Sequence, residues 1–181
     1  YDANVNSVVS INTTGTAGTN IFGQPVQTAS SGSGFILTKD GYIVTNAHII
    51  AGAEQVNVTL SDDSLWSAQL VGFEPLEDLA VLKIDAQGLT PAEFGDSDQM
   101  EVGDVVVAIG NPMGEELRGT MTDGILSAIN RDMEVEGRQM TLLQTTAALN
   151  TGNSGGALIN DMGQVIGITN MKLMAYNSTV E

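Results

Sequence analysis

The chain is 181 residues long, with six Lys and Arg against twenty-two Asp and Glu, a formal net charge of −16. That balance argues against nucleic acid and anionic membrane surfaces as partners, and no apolar stretch is long enough to span a bilayer. Cysteine is absent, which excludes a disulfide framework, and the size suits one domain or two closely packed barrels.

In chain order, short apolar runs recur between turn signals. They are Val8–Ile11, Phe35–Thr38, Tyr42–Thr45, Val56–Leu60, Ala68–Phe73, Leu79–Ile84, Val105–Ile109, Ile125–Ile129, Leu142–Gln144, Ala157–Ile159 and Val165–Ile168. Helix-period patterns are scarce, so the pattern predicts an all-β fold. A short helical turn is expected over Ile49–Gln55. The segment Asp85–Gln99, with Gly88, Pro91 and Gly95, reads as a loop between an N-terminal barrel at about 1–88 and a C-terminal barrel at about 98–181. Glu93, Asp96, Asp98, Glu101 and Asp104 invite a calcium reading, but the turn glycine and terminal glutamate of an EF-hand are not at the required spacing. A solvated acidic loop is expected there, with no metal and no cofactor.

The stretch Gly152-Asn153-Ser154-Gly155-Gly156 places a serine between glycines just before the apolar run Ala157–Ile159. Such a stretch fits a nucleophile on a tight turn, a nucleophile elbow, or an ordinary turn. Histidine narrows the choice, because the chain has only one, His48. A serine nucleophile needs a base, and near neutral pH that base is usually histidine. No histidine follows Ser154, so the elbow order of Ser, acid, His fails. An order with the acid before the histidine has only Asp2, at the chain end, and Asp40, in the turn Lys39-Asp40-Gly41, so the order left is His, Asp, Ser. Nine aspartates lie between His48 and Ser154. Most sit in polar turns, whereas Asp78 opens the apolar run Leu79–Ile84, where a partly buried carboxylate needs a partner. His48 is the natural one.

Thr45-Asn46-Ala47-His48, Asp78-Leu79-Ala80-Val81-Leu82-Lys83, Ala108-Ile109-Gly110-Asn111-Pro112 and Gly152-Asn153-Ser154-Gly155-Gly156-Ala157-Leu158 together resemble the HtrA family of trypsin-like serine proteases. Gly32-Ser33-Gly34-Phe35-Ile36, Phe94-Gly95-Asp96-Ser97, Gly124–Ala128 and Gln164–Ile168 match in the same order, so the resemblance covers nearly the whole chain. It implies two packed antiparallel six-stranded β-barrels with the cleft between them. His48 and Asp78 would lie on the first barrel and Ser154 on the second. It also implies a serine endopeptidase that cleaves unfolded or damaged proteins outside the cytoplasm, in a periplasm or at a cell surface. Members often form homotrimers and carry a PDZ domain, which this chain does not contain; that domain, or a membrane anchor, would lie outside it.

The implied roles are Ser154 as nucleophile, His48 as base and Asp78 as its orienting acid. Gly152, Asn153 and Ser154 would form the oxyanion hole, with Asn153 completing the turn. An aspartate before the serine serves zymogen activation in trypsin-type relatives. Asn153 cannot make that ion pair, so loop rearrangement is expected instead, with Asn111–Gly119 and Arg131–Gln139 as candidates. Ala148 stands where a trypsin-like pocket carries an acid. With Leu149, Ile168, Thr169 and Asn170 it predicts an apolar pocket for small or medium aliphatic side chains. Thr146 replaces a usual aspartate, and the residues after Asn170 depart from the family, so the last strand of the second barrel is expected to be missing. The alternative to an active enzyme is a latent or non-catalytic protein-binding module, chaperone-like, on the same fold.

Overall fold

A computed structural model describes residues 4–19, 22, 24–111, 119–135, 138–150 and 152–170. Among them the first sheet contains β1 (Val8–Thr19), β2 (Pro25–Ile36), β3 (Tyr42–Asn46), β4 (Gln55–Thr59), β5 (Leu65–Ser67), β6 (Gln69–Glu74) and β7 (Leu79–Lys83). The second contains β8 (Val105–Gly110), β9 (Thr120–Val135), β10 (Arg138–Thr145), β11 (Ala157–Asn160) and β12 (Val165–Ile168). One helical turn, α1 (Ala47–Ile50), follows β3 directly. It starts two residues earlier than the sequence suggests and ends well before Gln55.

The first sheet runs β5-β4-β1-β2-β3-β7-β6, with every pairing antiparallel. Its two outermost strands are sequence neighbours, separated by Ala68, whose N–H donates to Val56. They are therefore one bent strand that pairs with β4 at one end and β7 at the other. Counted so, the sheet closes as a six-stranded barrel, which removes its free edges. The second sheet runs β10-β9-β8-β11-β12, again antiparallel. It has five strands among the described residues, and any sixth beyond Asn170 falls outside them.

The period-two alternation of strands explains how the barrels meet. In β8, Val106 and Ala108 fill the second barrel, while Val107 and Ile109 face the first. In β11, Leu158 points inward, and Ala157 and Ile159 join the same interface. The first barrel answers with Val8, Phe35 and Val44, while Val9, Ile11, Ile36, Ile43 and Leu82 fill its own interior. Strands buried on both faces read as unbroken apolar runs, which is why β8 and β11 were legible in sequence.

Two expectations change. The runs Val8–Ile11 and Phe35–Thr38 are the ends of a much longer hairpin, in register from Val8↔Phe35 to Thr16↔Gln27. Its outer half is polar, and Pro25–Ser31 is exposed throughout. Arg131–Gln139, expected as a loop, is mostly strand, since β9 and β10 pair Val135 with Arg138 and Met133 with Met140. Of the other candidate loop, residues 112–118 lie outside the described residues.

Candidate active site

His48 lies in the single helical turn after β3, and Asp78 lies just before β7, which pairs with β3. That pairing brings the two together across thirty positions of sequence. Asp78 is fully buried and holds the left-handed backbone conformation, φ 53°. For a residue other than glycine this is uncommon and needs support from its surroundings. Its carbonyl accepts the Ala47 N–H at 3.1 Å and the Asn46 side-chain amide at 3.0 Å. Its carboxylate is equally committed: Oδ2 lies 2.7 Å from His48 Nδ1, and Oδ1 accepts the His48 backbone N–H at 2.9 Å. His48 is thus held at two points, its backbone N–H and its ring Nδ1. Its side chain remains 43% exposed, while that of Asp78 is only 1% exposed, so one ring edge faces the buried acid and the rest faces the cleft.

Ser154 stands on a turn that follows β10 and leads into β11. The Asn153 N–H donates to the Asn150 carbonyl at 3.0 Å, and the Gly156 N–H to the Asn153 carbonyl at 2.9 Å. Gly152 and Gly155 have φ 98° and 84°. At Gly155 the turn passes so close to the first barrel that a Cβ would sit 2.1 Å from the Ser33 carbonyl and 2.6 Å from Thr45 Oγ1. Only glycine permits both that φ and that approach. Among the described residues, Ser154 Oγ donates to the Asn170 carbonyl at 2.8 Å, and no hydrogen bond joins it to His48.

Of the expected oxyanion group, Asn153 has its N–H spent inside the turn, on the Asn150 carbonyl. Thr151, which precedes Gly152, lies outside the described residues. Leu149, Ile168, Thr169 and Asn170 line one cavity of about 330 Å³. Ala148 lines a neighbouring cavity with Arg131 and Met133, and its carbonyl accepts the Thr122 hydroxyl. The Thr169 hydroxyl turns away from the expected pocket and beneath the serine turn, where it donates to the Asn153 and Gly156 carbonyls.

Sequence reasoning gave no role to Ser33, Thr45 or Asn46. Ser33 donates its hydroxyl to the Gly152 carbonyl at 2.6 Å and accepts the Asn111 N–H at 2.7 Å. Its backbone N–H donates to the Ser154 carbonyl at 2.8 Å, and its carbonyl accepts the Thr45 hydroxyl at 2.7 Å. One fully buried serine of the first barrel therefore grips the serine turn of the second. The signal available in sequence was a lone hydroxyl between two glycines at the head of an apolar strand.

Two curled antiparallel sheets, with a buried acid–histidine pair on one and a glycine-flanked serine turn on the other, define a chymotrypsin-like fold. A family model described as the trypsin-like peptidase domain matches residues 32–168. The chain is 49% identical over 153 residues to the serine protease Do-like HtrA of Lactobacillus helveticus, covering 82% of this chain and 37% of that protein. It is 47% identical over 140 residues to a probable periplasmic serine endoprotease, DegP-like, of Chlamydia trachomatis, covering 77% of this chain and 28% of that protein. A solved structure of the HtrA-type protease AlgW with a decapeptide superposes with a TM-score of 0.84 at 37% identity, covering 96% of this chain and 58% of that one. The chain belongs to the trypsin-like peptidase domain family, in its HtrA-type branch. It spans about a third of the length of the curated relatives it matches.

Proposed function

We propose that the chain is the protease domain of a serine endopeptidase that works by acyl transfer, with Ser154 as nucleophile, His48 as general base and Asp78 as the group that orients it. The observation that carries this reading is the double hold of Asp78 on His48. An ionised carboxylate only accepts hydrogen bonds. Facing Nδ1, it keeps the proton on that nitrogen and leaves Nε2 free as acceptor. Nε2 then takes the Ser154 proton as Oγ attacks the peptide carbonyl, and returns it to the leaving amine. Asp78 stays charged and stabilises the imidazolium in between. The Gly152 and Ser154 N–H groups are the donors for the developing oxyanion.

The substrates proposed are unfolded or damaged proteins, met outside the cytoplasm; the name of the Chlamydia trachomatis relative describes that protein as periplasmic. The cavity beside Leu149, Ile168 and Asn170 suits a small or medium aliphatic side chain. Homotrimer formation belongs to the same reading, as do a PDZ domain and a membrane anchor outside this chain.

One observation favours a second reading, a latent resting state: the Ser154 hydroxyl is engaged by the Asn170 carbonyl, so it must turn toward His48 before it can react. A fluorophosphonate probe together with hydrolysis of an unfolded protein tests both. Labelling of the wild type, its loss in Ser154→Ala and a drop in hydrolysis of about 10³-fold or more support the active enzyme. A wild-type chain that takes no label supports latency, and near-normal hydrolysis by Ser154→Ala overturns the nucleophile assignment.

A further inference from the structure

We propose that the hydroxyls of Ser33 and Thr169 form an uncharged clasp that sets the shape of the Gly152–Ser154 turn, making them positioning residues for the chemistry of Ser154. This inference rests on the reading of Ser154 as nucleophile given above.

Three successive carbonyls of the turn are each held from outside it. Ser33 Oγ donates to Gly152 at 2.6 Å, Thr169 Oγ1 donates to Asn153, and the Ser33 N–H donates to Ser154 at 2.8 Å. In a trans peptide the carbonyl and the following N–H point in opposite directions, and the described chain contains no cis bond. Holding the Asn153 carbonyl therefore aims the Ser154 N–H, the amide proposed as an oxyanion donor, away from Thr169. Holding the Gly152 carbonyl aims the Asn153 N–H back into the turn, where Asn150 accepts it. Each hydroxyl orients one peptide plane.

The clasp comes from both barrels. Ser33 lies on β2 of the first, and Thr169 follows β12 of the second. Thr169 is itself docked by its backbone, its carbonyl accepting the Gly155 N–H at 2.7 Å and its N–H donating to the Gly156 carbonyl at 2.9 Å. Ser33, Thr169, Asn153 and Asn111 are all buried, and no charged group takes part. Where Asn153 rules out an ion pair at this place, neutral hydroxyls do the holding. The clasp therefore has no titratable member, so removing it should change the height of a pH–rate profile and leave its shape alone.

The test uses four variants of the 181-residue chain beside the wild type, one of them the Ser154→Ala control. Thr169→Val keeps the shape and removes the donor, Thr169→Ser keeps the donor, and Ser33→Ala removes the other hydroxyl. Labelling by a fluorophosphonate and hydrolysis of a peptide substrate are measured well below each variant's thermal midpoint. Misaimed peptide planes should slow Thr169→Val labelling and kcat on the order of 10²-fold, with KM and the shape of the pH profile unchanged. Thr169→Ser should recover most of that loss, and Ser33→Ala should fall in the same direction. A folded Thr169→Val chain that labels at the wild-type rate overturns the clasp. So does a loss that Thr169→Ser does not repair. If the wild type labels and Ser154→Ala does not, the parent reading stands whatever Thr169→Val does. A wild type that takes no label is latent, which overturns the clasp as an aid to Ser154 chemistry in the resting chain, whereas near-normal hydrolysis by Ser154→Ala overturns the parent reading.

Discussion

The Asp78→Asn variant probes the site most sharply, because both oxygens of Asp78 are already assigned. Oδ1 accepts the His48 backbone N–H at 2.9 Å, and Oδ2 faces Nδ1 at 2.7 Å. An asparagine in that place has one oxygen and one NH2. If the NH2 faces the backbone N–H, two donors collide in a buried space. The stable arrangement keeps the oxygen on the backbone N–H and turns the NH2 toward Nδ1. Nδ1 must then be the acceptor, so the proton moves to Nε2, the nitrogen that should receive the serine proton. The fold is nearly unchanged while the base is in the wrong tautomer. The expected loss is about 10⁴-fold in kcat, or about 5 kcal/mol of barrier. Stability should fall by only about 1–3 kcal/mol, from the weakened bond to Nδ1. Hydrolysis of an unfolded protein, paired with denaturant melts, checks both numbers. A folded Asp78→Asn chain within tenfold of wild type would refute the tautomer reasoning.

Three other outcomes are expected. Gly155→Ala combines a left-handed backbone cost of about 1–2 kcal/mol with a Cβ forced against the Ser33 carbonyl, a clash worth about 1–3 kcal/mol more. An unchanged urea midpoint would contradict that contact. Thr45→Val removes the bond from Oγ1 to the Ser33 carbonyl at 2.7 Å inside a fully buried space. The urea midpoint should drop by the equivalent of about 1–3 kcal/mol with the m value preserved. A peptide-library profile should favour small or medium aliphatic residues at the cleavage position, and dominance of Arg or Lys there would count against the pocket.

Much of this molecule could be read from residues alone where chemistry or apolar content leaves a local mark. His48, Asp78 and Ser154 each sit beside a recognisable strand, and β12 falls where Val165–Ile168 predicts it. The outer half of the β1–β2 hairpin was invisible because Thr, Ser, Gly and Asn there show no apolar alternation; pairing alone makes it a strand. β5 was missed because three residues carry too little pattern. The clasp is harder still, since Ser33 and Gly152 are 119 positions apart and a hydroxyl is silent about which carbonyl it will meet. The place of Ala148 beside a different cavity from Leu149, Ile168, Thr169 and Asn170 is hidden for a similar reason. Counting back from Ser154 gives a position along the chain, not the direction a twisted segment faces.

The grip of Ser33 on Gly152 and Ser154 makes the contact between the two barrels part of the proposed catalytic apparatus. Neither half holds a complete set of the proposed groups, so turnover requires that the halves be seated against each other, beyond each being folded. The one tryptophan, Trp66, packs against the interior of the first barrel. Its fluorescence would therefore follow that half, while activity would follow the seating. On the proposed reading, a slight parting of the halves should abolish turnover while Trp66 still reports an intact first barrel.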